Sequence, residues 1–196
     1  MILPIVAYGD PILRKKGIEI EKNHPDLEKL IAEMFETMYD AKGVGLAAPQ
    51  VGKSIRLFIV DASPFAEEED DDGNQLPENK VLKNFKQIFI NAKITKEEGE
   101  DWKFNEGCLS IPKIREEVER KKVIHIEFVD EHFKKHKRTY EGVAARIIQH
   151  EYDHIEGKLF VDRISALRKR LLKGKLADIT KGKVDVIYKM KFPNIK

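Results

Sequence analysis

The sequence contains very little cysteine: Cys108 is the only one among 196 residues. A lone thiol excludes an internal disulfide, so the fold must rest on a packed core, and the chain is compatible with a reducing compartment. The chain also lacks any apolar run of about 18 residues, the length typical of a membrane-spanning helix. The first residues, Met1 to Ile5, show neither a basic leader nor the apolar core of a secretion signal. We therefore expect a soluble cytoplasmic protein without a membrane partner.

Excess charge of one sign is also lacking, since the formal net charge is only +2. This value argues against a general DNA binder. With 41% hydrophobic and 36% charged residues, the chain fits one globular domain over residues 1–196. Two segments depart from the average. An acidic loop is expected at 65–80, and a basic C-terminal extension at 174–196. The basic extension has two interpretations, an ordinary solvated surface or a binding site for a polyanion such as ribosomal RNA.

Apolar periodicity predicts a mixture of helices and strands. Helices are expected from a first turn at Pro25 to about Asp40, around the segment 143–156, and from a cap at Ser165 to about Lys173, where Gly174 would end the helix. Short strands are expected at 57–60, 88–90, 123–129, 134–140 and 184–190. This order predicts an α+β fold in which antiparallel β-sheets pack around a central α-helix that carries the metal site.

The most informative motif is Gln149-His150-Glu151-Tyr152-Asp153-His154. On a helix, two histidines four residues apart lie on one face, where they can bind one metal ion, and a glutamate between them is typical of metal hydrolases. Two solvent-facing helical histidines would give the same pattern by chance. A catalytic metal site usually has three protein ligands, so a third must be found.

The third ligand is better sought upstream than downstream. Acidic residues after His154 lie in unremarkable surroundings, whereas Cys108 lies in the bend Glu106-Gly107-Cys108-Leu109-Ser110. A thiolate and two neutral imidazoles would leave a divalent ion with a net charge near +1, which lowers the pKa of a bound water toward neutrality. We therefore predict Cys108, His150 and His154 as ligands, with Glu151 as the acid and base.

A third segment, Gly43-Val44-Gly45-Leu46-Ala47-Ala48-Pro49-Gln50, is rich in small residues. It loosely fits a dinucleotide-binding fingerprint, but a predicted helix precedes it and a strand follows, the reverse of the required order. Small residues instead permit a close approach of another backbone, and Gln50 offers an amide donor and acceptor.

Together and in this order, the three segments resemble the signature motifs of the peptide deformylases, and the resemblance covers about residues 1–173. It implies hydrolysis of the N-formyl group from the formyl-methionine of nascent chains, with release of formate. It further implies ferrous iron as the native metal, with zinc, nickel or cobalt as alternatives. Gln50 and the backbone N–H of Leu109 would stabilise the oxyanion, and a bacterial source is expected.

The resemblance also implies how the substrate binds. An extended formylated peptide would add to the backbone near Gly45 like a strand, and Arg115 would hold its backbone. The methionine side chain would enter an apolar pocket formed by Val44, Phe104, Val143 and Ile147. Some relatives end in one long basic helix, whereas 174–196 favours a short helix and a strand here, which leaves transient proximity to the ribosome open.

Two rival functions remain at this stage. The first is a zinc peptidase that cleaves internal peptide bonds and takes its third ligand downstream of His154. The second is a binding protein with a structural metal. Replacement of Cys108 would separate the first rival from a deformylase, and replacement of Glu151 would separate the second.

Overall fold

A computed structural model describes residues 1–67 and 77–193. The predicted α+β class is confirmed, because helices pack here on a mainly antiparallel sheet. In chain order the elements are β1 (Ile5–Val6), α1 (Leu27–Asp40), β2 (Gly45–Ala47), β3 (Leu57–Asp61), β4 (Lys86–Cys108), β5 (Ile111–Val129), β6 (Lys135–Glu141), α2 (Gly142–Ile155), α3 (Ala166–Thr180) and β7 (Met190–Lys191).

The main sheet has five strands in the order β2-β3-β4-β5-β6, and every neighbouring pair is antiparallel. Strands β4 and β5 are much longer than predicted, with 23 and 19 residues. The sequence indicated only their apolar parts, because the half of the hairpin next to its turn is rich in charged residues, mostly exposed in β4 and alternating with buried positions in β5. The hairpin turns tightly over Leu109 and Ser110, since Cys108 pairs with Ile111.

Strand β3 explains how helices α1 and α2 are held on opposite faces of the sheet. Phe58 and Val60 belong to one apolar cluster together with residues of α2. Leu57 and Ile59 belong to a second cluster together with residues of α1. All four side chains are fully buried. A continuous apolar run is what a strand covered on both faces requires, because successive side chains point to opposite faces.

Helix α2 lies at the centre and contacts all five strands of the main sheet. Its apolar residues Ala144, Ala145, Ile148 and Ile155 are at most 5% exposed. Burial of this face fixes the rotation of the helix about its axis, and with it the direction of the polar side chains that follow in sequence.

The predicted end of α3 near Lys173 was wrong, because the helix continues through Gly174 to Thr180. Leu172, Leu176 and Ile179 are buried against a third apolar cluster. A glycine inside a helix costs about 1 kcal/mol relative to alanine, whereas burial of one large aliphatic side chain contributes about 2 kcal/mol. Tertiary packing therefore overrides the local signal. The predicted cap is confirmed, since Ser165 Oγ accepts from Arg168 N at 3.3 Å.

The predicted final strand over 184–190 was also wrong. Only Met190–Lys191 forms a strand, and it pairs in parallel with β1 at the other end of the chain. The alternation in 184–190 is real, since Val184, Val186 and Tyr188 are half-buried between exposed neighbours. That alternation arises because the segment lies along the rest of the protein without a neighbouring strand.

The acidic stretch predicted to form a surface loop falls largely on residues 68–76, outside the described residues. Short 3-10 turns at Ser63–Glu67 and Pro77–Asn84 flank it. Within the described ranges, no helix has the length and apolar character needed to cross a membrane.

Candidate active site

Helix α2 presents His150 and His154 on the same face, as their spacing predicted. Their ring centroids lie 5.1 Å apart, and the residues are 9% and 1% exposed. Neither ring is on the solvent side of the helix, which removes the chance interpretation of the motif. Desolvation of an imidazole is costly unless its nitrogens find partners, so two rings in one buried place indicate a polar site.

Cys108, at the end of β4, brings the third donor to these rings. Its Sγ lies 3.3 Å from Nε2 of His154, and one donor atom from each of Cys108, His150 and His154 lies within 4.8 Å of the others. Cys108 and His154 are 46 residues apart in sequence, so tertiary packing alone creates this cluster. Sulfur and two nitrogens with further space beside them match a catalytic site for zinc or ferrous iron.

The surroundings of His150 fit a metal ligand. Its Nδ1 lies 3.0 Å from Oε2 of Glu106, a buried carboxylate. A carboxylate accepts the proton of Nδ1, and this leaves the lone pair of Nε2 for a metal, which is the usual arrangement around metal-binding histidines. His154 differs, because its Nδ1 is buried without a hydrogen-bond partner among the described residues.

Glu106 belongs to a buried ionic network that sequence reasoning missed. Arg120 donates to both oxygens of Glu106, at 2.7 and 2.9 Å, and Arg146 donates to one, at 2.9 Å. Asp153 accepts from Arg120 at 2.7 Å and from Arg163 at 2.6 Å. Although burial opposes ionisation, Arg120 and His150 hold the pKa of Glu106 far below its ordinary value. The only signal for this network in the sequence was that Glu106 and Asp153 lie close to the predicted metal ligands Cys108 and His154.

Glu151 is held in a narrow space against Gly45. The residue is 4% exposed, and its Oε2 has no hydrogen-bond partner among the described residues. A Cβ atom added at Gly45 would lie 2.4 Å from Oε1 of Glu151, so only glycine fits there. Burial raises the pKa of Glu151 to about 7. A cation bound nearby would act in the opposite direction, because an opposite charge favours the carboxylate.

Gln50 has a fixed orientation in the 3-10 turn Ala48–Val51. Its Oε1 accepts from Ala47 N at 2.8 Å. The amide group therefore presents Nε2 to the metal-ligand side, where it lies 3.5 Å from Cys108 Sγ and 3.3 Å from Ser110 Oγ. The side chain of Gln50 is buried. Because the residues before it are small, its amide nitrogen can approach the thiol of Cys108 closely.

Comparison with known proteins now decides the family. The sequence model of the polypeptide deformylases matches residues 2–170. The chain belongs to this family. A peptide deformylase of Christiangramia forsetii is 58% identical over 196 residues, which are 100% of this chain and 98% of that relative. This chain is accordingly a hydrolase of the family.

Solved structures agree with this assignment. A crystal structure of a peptide deformylase from Legionella pneumophila is 36% identical, with a TM-score of 0.75, and the match covers 93% of this chain and 98% of that one. A Plasmodium falciparum peptide deformylase, in complex with an inhibitor, is 33% identical with a TM-score of 0.74, over 90% of this chain and 99% of that one. The fold and the family are thus supported independently.

The residues of this deformylase that sequence reasoning selected mostly border one cavity of about 520 Å³. Those found in its walls are Val44, Gly45, Gln50, Phe104, Cys108, Leu109, Arg115, Ile147, His150 and Glu151. Val143 is not in these walls, and instead packs half-buried against the apolar cluster shared by α2 and the sheet. Arg115 is exposed, and its guanidinium lies over Gly107, where an added Cβ would be 3.3 Å from its Nε.

The cavity also has a wall that the sequence did not indicate. Residues 185–188, close to the C-terminus, contribute Asp185, Val186, Ile187 and Tyr188. No motif in this segment points to an active site, since its residue types are ordinary for a strand. Its place beside the cavity depends on the pairing of β7 with β1, which no local pattern predicts.

Proposed function

We propose that this deformylase is a metal-dependent hydrolase that removes the N-formyl group from the formyl-methionine of newly made polypeptides and releases formate. The observation that carries the proposal is that one donor atom from each of Cys108, His150 and His154 lies within 4.8 Å of the others. Cys108 and His150 line the cavity, and Glu151 lines it with them. This set combines three soft or borderline ligands with an acid and base.

The proposed metal is Fe²⁺ in the native enzyme, with Zn²⁺, Ni²⁺ or Co²⁺ as substitutes. Thiolate and imidazole ligands suit each of these ions, and availability in the cell selects among them. When bound, the ion would supply Lewis-acid activation of a water molecule. Ligand atoms must be deprotonated to bind it, so binding would release protons from the cluster.

Glu151 would move the proton that the reaction requires. The carboxylate accepts a proton from the attacking water as the new C–O bond to the formyl carbon forms. It then gives this proton to the nitrogen of the leaving amine as the C–N bond breaks. Formate and a peptide with a free amino group result, and Glu151 regains its initial state. Its enclosure in the cavity wall supports the role, because little competing water reaches it.

Gln50 and Leu109 would stabilise the charge that develops on the formyl oxygen. Nε2 of Gln50 is directed toward the cysteine ligand by the hydrogen bond that Oε1 accepts. The backbone N–H of Leu109 follows the same cysteine. Removal of one such donor typically lowers the rate by about 10²- to 10³-fold, because a donor that is already oriented costs no reorganisation during the reaction.

The substrate would bind as an additional strand beside β2. Among the described strands β2 pairs only with β3, so its second edge faces the cavity at Gly45. Extended peptides commonly bind to such an edge through backbone hydrogen bonds. The methionine side chain would then contact Val44, Phe104 and Ile147, and Arg115 would contact the peptide backbone further along.

The proposal places the protein in the bacterial cytoplasm, with N-formylmethionyl nascent peptides as partners and with transient proximity to the ribosome. The support for this last point is chemical. Helix α3 carries exposed basic side chains, including Arg170 and Lys173, beside the exposed Leu167 and Leu171. Such a surface suits a polyanion, whose attraction weakens as salt is added.

Formate release from formyl-Met-Ala, with anaerobically purified protein and its metal content measured in parallel, tests the proposal. The variant Glu151→Gln should keep its metal and lose turnover by at least about 10²-fold, the usual contribution of a general acid and base. Cys108→Ser should lose both metal and activity, whereas a peptidase with a downstream ligand would keep both. Absence of formate release with every divalent metal would refute the proposed function.

A further inference from the structure

We propose that Tyr188, in the C-terminal segment, is a positioning residue that orients the Leu109 backbone for the reaction. This inference rests on the proposed function, in which the N–H of Leu109 stabilises the oxyanion. Its basis is one contact: the hydroxyl of Tyr188 donates to the carbonyl oxygen of Leu109 at 2.8 Å. Both residues also border the cavity.

The turn that contains Leu109 has few other supports. Leu109 and Ser110 connect β4 to β5, outside the strand pairing itself. Tyr8 N donates to the carbonyl of Ser110 at 2.8 Å, and Gln50 Nε2 donates to Ser110 Oγ at 3.3 Å. Both of these contacts fix Ser110. Among the described residues, Tyr188 is the only one whose side chain donates a hydrogen bond to the carbonyl of Leu109.

The position of Tyr188 is itself fixed by the ends of the chain. Strand β7 pairs with β1, where Ile5 N donates to Lys189 O and Ala7 N donates to Lys191 O, both at 2.9 Å. Tyr188 directly precedes Lys189, and Tyr8 directly follows Ala7, so both tyrosines are next to residues that hydrogen-bond in this pairing. The two tyrosines therefore approach the 109–110 turn from one small sheet, one through its backbone N–H and the other through its hydroxyl.

The consequence for catalysis follows from backbone geometry. The carbonyl of Leu109 belongs to the peptide plane that follows its Cα, and the N–H belongs to the plane that precedes it. A hydrogen bond to the carbonyl holds the first plane and so restrains ψ of Leu109. The direction of the N–H then depends only on φ of the same residue. An oxyanion donor is effective only when it already points to the place where charge develops. Without the Tyr188 hydroxyl, the N–H would remain present but would spend part of its time misdirected.

The test compares Tyr188→Phe with the matched variant Tyr140→Phe. Tyr140 is also half-buried, and no described residue forms a hydrogen bond with its hydroxyl group. We expect Tyr188→Phe to lower kcat for formyl-Met-Ala about 10-fold, less than the roughly 10²- to 10³-fold effect of complete loss of a donor. Its KM should stay within about twofold, because uniform substrate binding is not affected. Tyr140→Phe should leave both constants unchanged.

A spectroscopic measurement completes the test. The nitrogen of Ser110 shares a peptide group with the Leu109 carbonyl, so its ¹⁵N chemical shift in the zinc-loaded protein should change in Tyr188→Phe and stay constant in Tyr140→Phe. An unchanged kcat, or a loss of activity that disappears after correction for bound metal, would overturn the positioning role. So would a raised KM at constant kcat, which indicates a substrate contact instead. If the wild type itself released no formate, the proposed function would fail first.

Discussion

The replacement of Gly45 by alanine offers the sharpest test of how the site is built. Gly45 begins β2, and its Cα faces the carboxyl group of Glu151. A Cβ atom there would lie 2.4 Å from Oε1, 2.7 Å from Cδ and 2.8 Å from Cγ of Glu151. Three contacts below 3 Å cannot be relieved by rotation of one oxygen, because they involve the length of the side chain.

The magnitude follows from the distance. Ordinary van der Waals contact begins near 3.4 Å, so Glu151 must retreat by about 1 Å, and it is almost fully buried where it stands. Misplacement of a catalytic group by about 1 Å typically costs about 10²-fold in rate. This factor corresponds to about 2.7 kcal/mol in the activation free energy. The three atoms nearest to the new methyl group all belong to Glu151 and none to a predicted metal ligand, so metal content should stay unchanged.

Formate release per bound metal is the assay, and Gly174→Ala is the matched control. Gly174 lies in α3 with no atom within 4 Å of an added Cβ, so alanine should leave kcat unchanged and stabilise the helix by up to about 1 kcal/mol. A Gly45→Ala variant with full metal content and a kcat within about twofold of the wild type would refute the stated contact between β2 and Glu151.

Two further predictions concern the ionic interactions. Glu106→Gln should weaken metal binding by about 10- to 100-fold, because the neutral amide orients His150 less strongly. Competition with a chelator measures the affinity, and the control is Glu117→Gln, at an exposed position of the neighbouring strand β5. Equal metal affinity of the two variants would contradict the prediction. Glu116, which accepts from Arg168 at 2.6 and 2.8 Å, has a pKa lowered below 4.5 by these hydrogen bonds. A lowered pKa means that the ion pair stabilises the fold above about pH 4.5 and that this contribution disappears as the pH falls further. The difference in unfolding free energy between wild type and Glu116→Gln should therefore shrink from pH 7 to pH 3, and a constant difference would speak against the ion pair.

The sequence by itself determined the helices and strands whose patterns agree with their final surroundings. Helix α1 ends at Asp40 as predicted, although it begins at Leu27 rather than with a first turn at Pro25, and the run at 57–60 became a strand buried on both faces. It also determined the site candidates, because the spacing of His150 and His154 fixes their common face on any helix. The small residues before Gln50 indicated a close approach of another backbone, whereas the group that lies against Gly45 is the side chain of Glu151.

Only the tertiary structure decided which distant segments of the chain contact one another. The extent of α3 depends on apolar partners that no local pattern contains, so the glycine at 174 gave a misleading stop signal. The network around Glu106 and Asp153 joins two strands, α2 and the segment after it, and charged residues in sequence do not reveal their partners. The C-terminal wall with Tyr188 depends on a pairing between the two ends of the chain. Local periodicity reports which residues prefer burial, whereas the partner that buries them is chosen by the whole fold.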